Sequence, residues 1–243
     1  MSQKLFKAIC IAFVLIIDGC SKTTENPFCL MLFDGMSTYN YSGNLWISGN
    51  NLAPVYFLNA TGNYSVNYDA QNRISKVVYK VNGETTLNMN YDGNSSRLLN
   101  VTYNYFNQIS GIASYSYNKA EQLTGVEYVL IGLSTPYLIY TYQYPNITTH
   151  NPSSSTYSFG LTSTGYLYNY SYSYQYDTKI NPLSAFDKFD PTVTPNNVTQ
   201  ETISDGYSTF TYSYTYTYTN GGYPLSKKRS DGSVINFSYS NCK

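Results

Sequence analysis

"VNYDAQNRISKVVY", Val66 to Tyr79, decides how this chain is read. A tyrosine and an aspartate end one alternating run, a short polar stretch follows, and Ile74 opens a second run that closes on another tyrosine. The pattern returns as "MNYDGNSSRLLNVTY" (Met89 to Tyr103) and "YSYNKAEQLTGVEY" (Tyr115 to Tyr128), and "YTYTNGGYPLSKKR" (Tyr216 to Arg229) looks like a worn copy. From Tyr68 to Tyr91 to Tyr117 the period is 23 and then 26 residues, which fits one hairpin per unit. In each unit the Asp or Asn and its followers make the turn, and the Ile or Leu starts the next strand.

Outward from these units the same signals continue. Asn82-Gly83, Asp92-Gly93, Asp205-Gly206, Asn220-Gly221 and Asp231-Gly232 each fall between runs rich in Tyr, Thr, Val and Ile. Such pairs suit the positive φ angles of type I′ hairpins. No segment after Cys20 has a convincing helical period. The expected fold is all-β: an antiparallel meander of about a dozen hairpin-linked strands forming a strongly curved sheet or porin-like barrel. With Asn82-Gly83 as the turn, Lys80 faces Thr85, Val78 faces Leu87 and Ile74 faces Tyr91, which leaves both faces of that hairpin mixed.

Composition narrows the functional classes. Thirty tyrosines and only 12% charged residues argue against disorder, which favours few aromatics and much charge. Fourteen basic and fourteen acidic side chains leave no field for a polyanion, so nucleic acid is not an expected partner. The one histidine, His150, sits in a polar loop with no nucleophile motif around it, and the scarce carboxylates fall mostly at turns. No catalytic, metal or cofactor residue is therefore expected.

The first residues read as an address. Lys4 and Lys7 precede an apolar run, Ala8 to Ile17, too short to span a bilayer as a helix, and "IDGC" follows. This ending resembles the lipobox of bacterial lipoproteins, with Ile17 and Gly19 in place before Cys20, the cysteine to be lipidated; Asp18 departs from the small or aliphatic residue usual there. The expected division is residues 1–19 as signal peptide, 20–36 as a lipid-anchored linker and 37–243 as one all-β domain. The membrane, through the anchor, becomes a partner, and the location is the cell envelope, at the outer membrane of a Gram-negative bacterium. Cys29 and Cys242 remain, near opposite ends of the mature chain, and in an oxidising compartment they are expected to form a disulfide. The alternative is two unpaired buried thiols.

"YDAQNRI" resembles the tyrosine-aspartate repeat of Rhs-type shells, in which tandem hairpins wrap into a spiralling sheet. The whole chain looks closer to a group of tyrosine-rich bacterial lipoproteins of unknown function with a porin-like β fold, through "CSK" at the lipobox, "YDTKINPLSAF" (Tyr176 to Phe186), "NNVTQETISDG" (Asn196 to Gly206) and the Tyr-rich end near Cys242. The resemblance implies fold and location and carries over no functional residue.

Two strands stand out. "GYLYNYSYSYQY" puts Tyr168, Tyr170, Tyr172 and Tyr174 on one face, and "FTYSYTYTYT" does the same for Tyr212, Tyr214, Tyr216 and Tyr218. Their similarity makes them expected neighbours, paving either an exposed binding surface or a filled interior. "NPLSAFDKFDPTVTPNN", Asn181 to Asn197, is a long loop with Phe186, Asp187, Phe189 and Asp190 as a candidate tip. The expected function is a non-enzymatic interaction scaffold whose partner is an envelope protein, with glycan binding on the tyrosine strands as the alternative.

Overall fold

The computed structural model describes residues 30–33, 38–42, 45–50, 63–80, 84–105, 108–162, 165–186 and 193–240. Those residues hold seventeen strands and one short 3-10 helix, Pro182–Phe186. The strands are β1 Leu30–Phe33, β2 Thr38–Ser42, β3 Leu45–Asn50, β4 Asn63–Tyr68, β5 Ile74–Lys80 and β6 Glu84–Tyr91. Next come β7 Leu98–Tyr105, β8 Gln108–Tyr117, β9 Leu123–Leu130, β10 Leu138–Gln143, β11 Ser154–Thr162 and β12 Gly165–Ile180. The series ends with β13 Asn196–Ser204, β14 Thr209–Tyr218, β15 Pro224–Arg229, β16 Val234–Asn236 and β17 Ser238–Ser240.

Each strand from β1 to β15 pairs antiparallel with the next, so the all-β meander expected from the sequence is the observed fold. The pairings also return to the first strand: β16 lies against β15, and β17, one residue further on, lies against β1 with Leu30 opposite Ser240. Cys20, Cys29 and Cys242, the signal segment and the Asp187–Asp190 tip lie outside the described residues.

One face of the sheet is dry. Val66, Val77, Leu87 and Tyr103 are successive cross-strand partners from β4 to β7, and all are buried. This corrects the hairpin register read from the sequence. Lys80 pairs with Glu84 and Val77 with Leu87, so β5 and β6 are joined across three residues and not two. A slip of one residue moves every side chain to the other face. The expected mixture of apolar and polar on both faces thus resolves into a buried apolar face, carrying Tyr79 and Tyr103 beside Val77 and Leu87, and a mainly polar outer one.

The repeated motif is a turn with a clamp. Asp69 N–H donates to the Arg73 carbonyl, and Asn72 N–H returns a bond to the Asp69 carbonyl. Asn118 with Gln122 and Thr219 with Tyr223 close the same five-residue loop, and Asp92 with Arg97 closes one a residue longer. The fourth residue of the five-residue form takes left-handed backbone: Asn72 (φ 58°), Glu121 (φ 60°) and Gly222 (φ 84°). Asp69 Oδ1 accepts from the Gln71 and Arg73 N–H groups, and its Oδ2 accepts from Arg73 Nε at 2.7 Å. Arg73 then reaches into the next unit, donating to the Gly93 and Ser95 carbonyls and lying 4.5 Å over the Tyr91 ring. Tyrosine hydroxyls finish the link: Tyr91 donates to the Ile74 carbonyl, Tyr117 to the Leu98 carbonyl and Tyr239 to the Pro224 carbonyl. The worn copy at Thr219 therefore keeps the geometry of the intact units.

The described Asp-Gly and Asn-Gly pairs, Asp92-Gly93, Asp205-Gly206, Asn220-Gly221 and Asp231-Gly232, do not act as type I′ centres, and Asn82-Gly83 lies outside the described residues. Among the described residues only Asn72 and Glu121 have positive φ without being glycine, whereas a type I′ turn needs both central residues there. The aspartates cap instead: Asp205 Oδ1 accepts from the Tyr207 and Ser208 N–H groups, and Asp231 Oδ1 from that of Ser233.

Alternating strand direction puts the repeat turns on one rim and the connections after β5, β7, β9, β11, β13 and β15 on the other. Leu30, where the described chain begins, enters at the repeat-turn rim.

Candidate functional site

The inner face changes character across the sheet. One row runs Met89, Val101, Ala113, Tyr128, Leu138, Phe159, Tyr168, each opposite the next from β6 to β12. The adjacent row runs Tyr115, Val126, Tyr140, Tyr157, Tyr170. Aliphatic residues dominate at one end of these rows and tyrosines at the other. All eight tyrosines picked out on β12 and β14 alternate with exposed Ser, Thr or Asn; Tyr168 is 44% exposed and the other seven are half-buried. They are neither an open pavement nor a filled core.

The two tyrosine strands are not neighbours. β13 stands between them, placing Ile203 between Tyr172 and Phe210, and Glu201 between Tyr174 and Tyr212. Similar composition marks strands built alike and says nothing of adjacency.

The rings face one another more than they face any ligand. Tyr140 stacks on Tyr157 and Phe159 on Tyr168, both with centroids 4.5 Å apart. Tyr172 stacks on Tyr174, and Tyr216 on Tyr218. Hydroxyls at the ring tips are also engaged. Tyr174 shares a 2.8 Å bond with Ser155 Oγ, Tyr216 donates to the Val198 carbonyl, Tyr214 to Glu201 Oε2 and Tyr218 to Asp177 Oδ2. Lys227 Nζ sits 4.0 Å over the Tyr214 ring, and the Arg229 guanidinium 4.7 Å over that of Tyr212. Burial, reinforced by the Glu201 charge, pushes the Tyr214 phenol up to about 12. Burial raises Tyr216 further, and burial with the bond to Asp177 does the same for Tyr218. Burial lowers the Lys227 ammonium, because a desolvated cation gives up its proton more readily.

At Tyr176-Asp177 the repeat begins and does not close. Asp177 Oδ1 accepts from the Lys179 N–H as Asp69 does from that of Gln71, but residues 181–195 are then inserted before β13. Asn197, on the far side of the insertion, donates from its backbone and side chain to Asp177. Asn181 binds the two ends of the insertion together through the Pro195 and Thr194 carbonyls.

Two cavities lie against this insertion, and Val193 lines both. The first, about 380 Å³, is walled by Tyr140, Tyr142, Tyr172, Tyr174 and Tyr176, with Glu201, Asn181 and Leu183. The second, about 360 Å³, lies over the repeat turns and is lined by Arg97, Tyr117, Glu121, Tyr144, His150, Ser184 and the buried Leu98 and Leu123. Tyr144 is pushed up to about 12 by burial. Sequence reasoning passed over Arg97, Glu121, Asp177 and Glu201. The usable signal was the repeat itself, since "YDTKI" carries the opening Tyr-Asp of the motif.

No family model matches this sequence, and no curated protein matches it. Among solved structures, a porin-like protein from Bacteroides uniformis is similar over 73% of this chain and 90% of its own, at 13% identity and a TM-score of 0.45. A porin-like protein from Bacteroides vulgatus is similar over 84% of this chain and 85% of its own, at 10% identity and a TM-score of 0.38. A chain of the TcdB2-TccC3-Cdc42 structure matches 74% of this chain with 10% of its own length, at 11% identity and a TM-score of 0.34. At such identities, function has to come from the residues of this chain.

Proposed function

We propose that the chain is a non-enzymatic interaction scaffold of the cell envelope, held to the outer membrane by a lipid on Cys20 and docking a partner protein on the rim away from the repeat turns. One observation carries this reading. Fifteen large hydrophobic side chains are exposed among the described residues, and ten of them border that rim: Tyr105, Ile109, Ile131, Leu133, Tyr137, Leu167, Tyr168, Tyr207, Phe210 and Val234. Scattered apolar residues need no explanation, whereas apolar residues gathered at one end mark contact. The described chain enters at the opposite rim, so a tether ahead of Leu30 leaves the apolar rim free.

Glycan binding on the tyrosine strands draws little support from the geometry. A sugar ring stacks on an open aromatic face, and the faces here are largely taken by neighbouring rings.

Replacing Leu167, Tyr207 and Phe210 together by Ser tests the docking surface in full-length, membrane-bound protein. The triple variant is expected to keep its fold, because all three side chains are exposed, and to lose the proteins that cross-link to the wild type. An unchanged set of cross-linked proteins overturns the reading. Cys20→Ala tests the tether separately: the variant is expected in the soluble fraction, and equal retention on membranes excludes the anchor.

A further inference from the structure

We propose that the cavity lined by Arg97, Glu121, Tyr144 and His150 is a binding site for a small neutral saccharide, separate from the apolar rim. The repeat supplies an internal control. Of the three clamp side chains, Arg73 is bonded through Nε and Nη1, and Gln122 donates to the Asn146 and Thr149 carbonyls. Arg97 departs from them: it pairs with Asp92 through Nη2, while its Nε is buried with no hydrogen bond. The guanidinium is thus tied to one carboxylate only, its side chain is 39% exposed, and it lines a cavity.

Glu121 departs from its sister turns as well. It occupies the left-handed position that Asn72 and Gly222 fill elsewhere, a conformation that suits Asn and Gly and costs other residues about 1–2 kcal/mol. The turn itself gives no reason for a glutamate there. Its side chain is exposed, makes no internal hydrogen bond among the described residues, and borders the cavity.

These groups narrow the ligand. Glu121 offers acceptors only, and Arg97 offers donors only. An ion of one sign meets a like charge at one of the two, whereas vicinal hydroxyls donate to Glu121 and accept from Arg97 without bringing a charge to be desolvated. Ser184 and Tyr144 add further hydroxyls, Leu98 and Leu123 supply apolar surface, and about 360 Å³ falls at the small end of ligand pockets.

The test uses purified full-length protein, saturation-transfer NMR and calorimetry. Maltose and diacetylchitobiose are the probes, and sodium glucuronate and choline chloride are the charged comparisons. At least one of the two disaccharides is expected to bind, and Glu121→Asn, which suits the left-handed backbone, is expected to keep the fold and weaken that binding about tenfold or more. The proposal fails if neither disaccharide binds, if Glu121→Asn binds as tightly as the wild type, or if glucuronate or choline binds more tightly than both sugars.

Discussion

The strands β4 to β9 and the strands β10 to β15 share one sheet and one inner face, yet they are stabilised differently. In the first group Val77, Val126, Leu87 and Leu98 are at most 1% exposed, and the inner face is a conventional dry core. In β14 no side chain is buried; its tyrosines are half-buried and hold fixed acceptors at their tips, the Val198 carbonyl, Glu201 and Asp177. A phenol reaches further inward than a valine and brings a hydroxyl that needs a partner. The aromatic half therefore trades dry packing for stacking and directed bonds. Gly111 shows the two chemistries meeting: a Cβ there would lie 2.7 Å from Tyr128 Cζ, so the ring of one strand fills the place left by the missing side chain of the next.

The strongest way to break this comparison is truncation on each side. Leu87→Ala removes a side chain that is 1% exposed and is expected to cost about 2–5 kcal/mol in urea unfolding. Tyr170→Ala, on the same face but half-buried, is expected to cost less than half as much. Equal losses would mean that the tyrosines are as much a core as the aliphatics.

The second test concerns the seam where the two groups meet through β1 and β17. Both expected bridge partners, Cys29 and Cys242, lie outside the described residues, but the backbone beside them is paired, Leu30 with Ser240. Non-reducing peptide mapping is expected to join the chain ends, and reduction to lower stability by about 2–4 kcal/mol. Free alkylation of both thiols in exported protein removes the bridge.

Much of the first group was legible in the sequence, because a period of 2 and a repeated Tyr-Asp turn are local signals. The β5–β6 register was not: Asn82-Gly83 invites a two-residue turn, and one extra residue in the connection exchanges the faces. The placement of β13 between the tyrosine strands was equally hidden, since "NNVTQETIS" has neither their composition nor their alternation. The cavities were out of reach for a different reason. The cavity over the repeat turns forms where Ser184, Val193 and Pro195 meet residues 95–98 and 117–123, roughly 60 to 100 positions earlier in the chain, and no local pattern records so distant a contact.

A third test separates the groups by pH. Folding raises Tyr144 and Tyr214 to about 12, and Tyr216 and Tyr218 beyond, all by burial. A phenol raised in the folded state keeps its full contribution below the unfolded value near 10 and loses it as pH climbs through the folded value. Stability is therefore expected to be flat to about pH 9 and to fall steeply between about 10 and 12, with tyrosinate absorbance appearing as the sheet unfolds. Tyr216→Phe keeps the ring and removes the bond to Val198, which should cost about 1 kcal/mol at neutral pH and soften the alkaline fall. A profile that does not respond to this substitution would exclude Tyr216 as a source of the alkaline sensitivity and leave it to other raised phenols, among them Tyr144, Tyr214 and Tyr218 in the second group and Tyr91 in the first.

The smallest expected effect bears on whether the two groups differ in kind or only in side chains. Arg73 in the first group and Tyr223 in the second occupy the same position of the same five-residue turn. Arg73 covers the Tyr91 ring at 4.5 Å, and Tyr223 packs on the Tyr239 ring with centroids 5.7 Å apart. Each covers a tyrosine whose hydroxyl locks the start of the strand after the turn, at Ile74 and at Pro224. A cation over a ring and an edge-tilted ring pair are each worth about 0.5–1.5 kcal/mol, so exchanging one for the other should nearly cancel. Tyr223→Arg is therefore expected to shift stability by less than about 1 kcal/mol, whereas Tyr223→Ser, which uncovers Tyr239 without replacement, should lower it by more. If Tyr223→Arg proves as harmful as Tyr223→Ser, the aromatic half needs its aromatic residue at the turn as well as on the strands, and the worn copy is a distinct structure that happens to share a hydrogen-bond pattern.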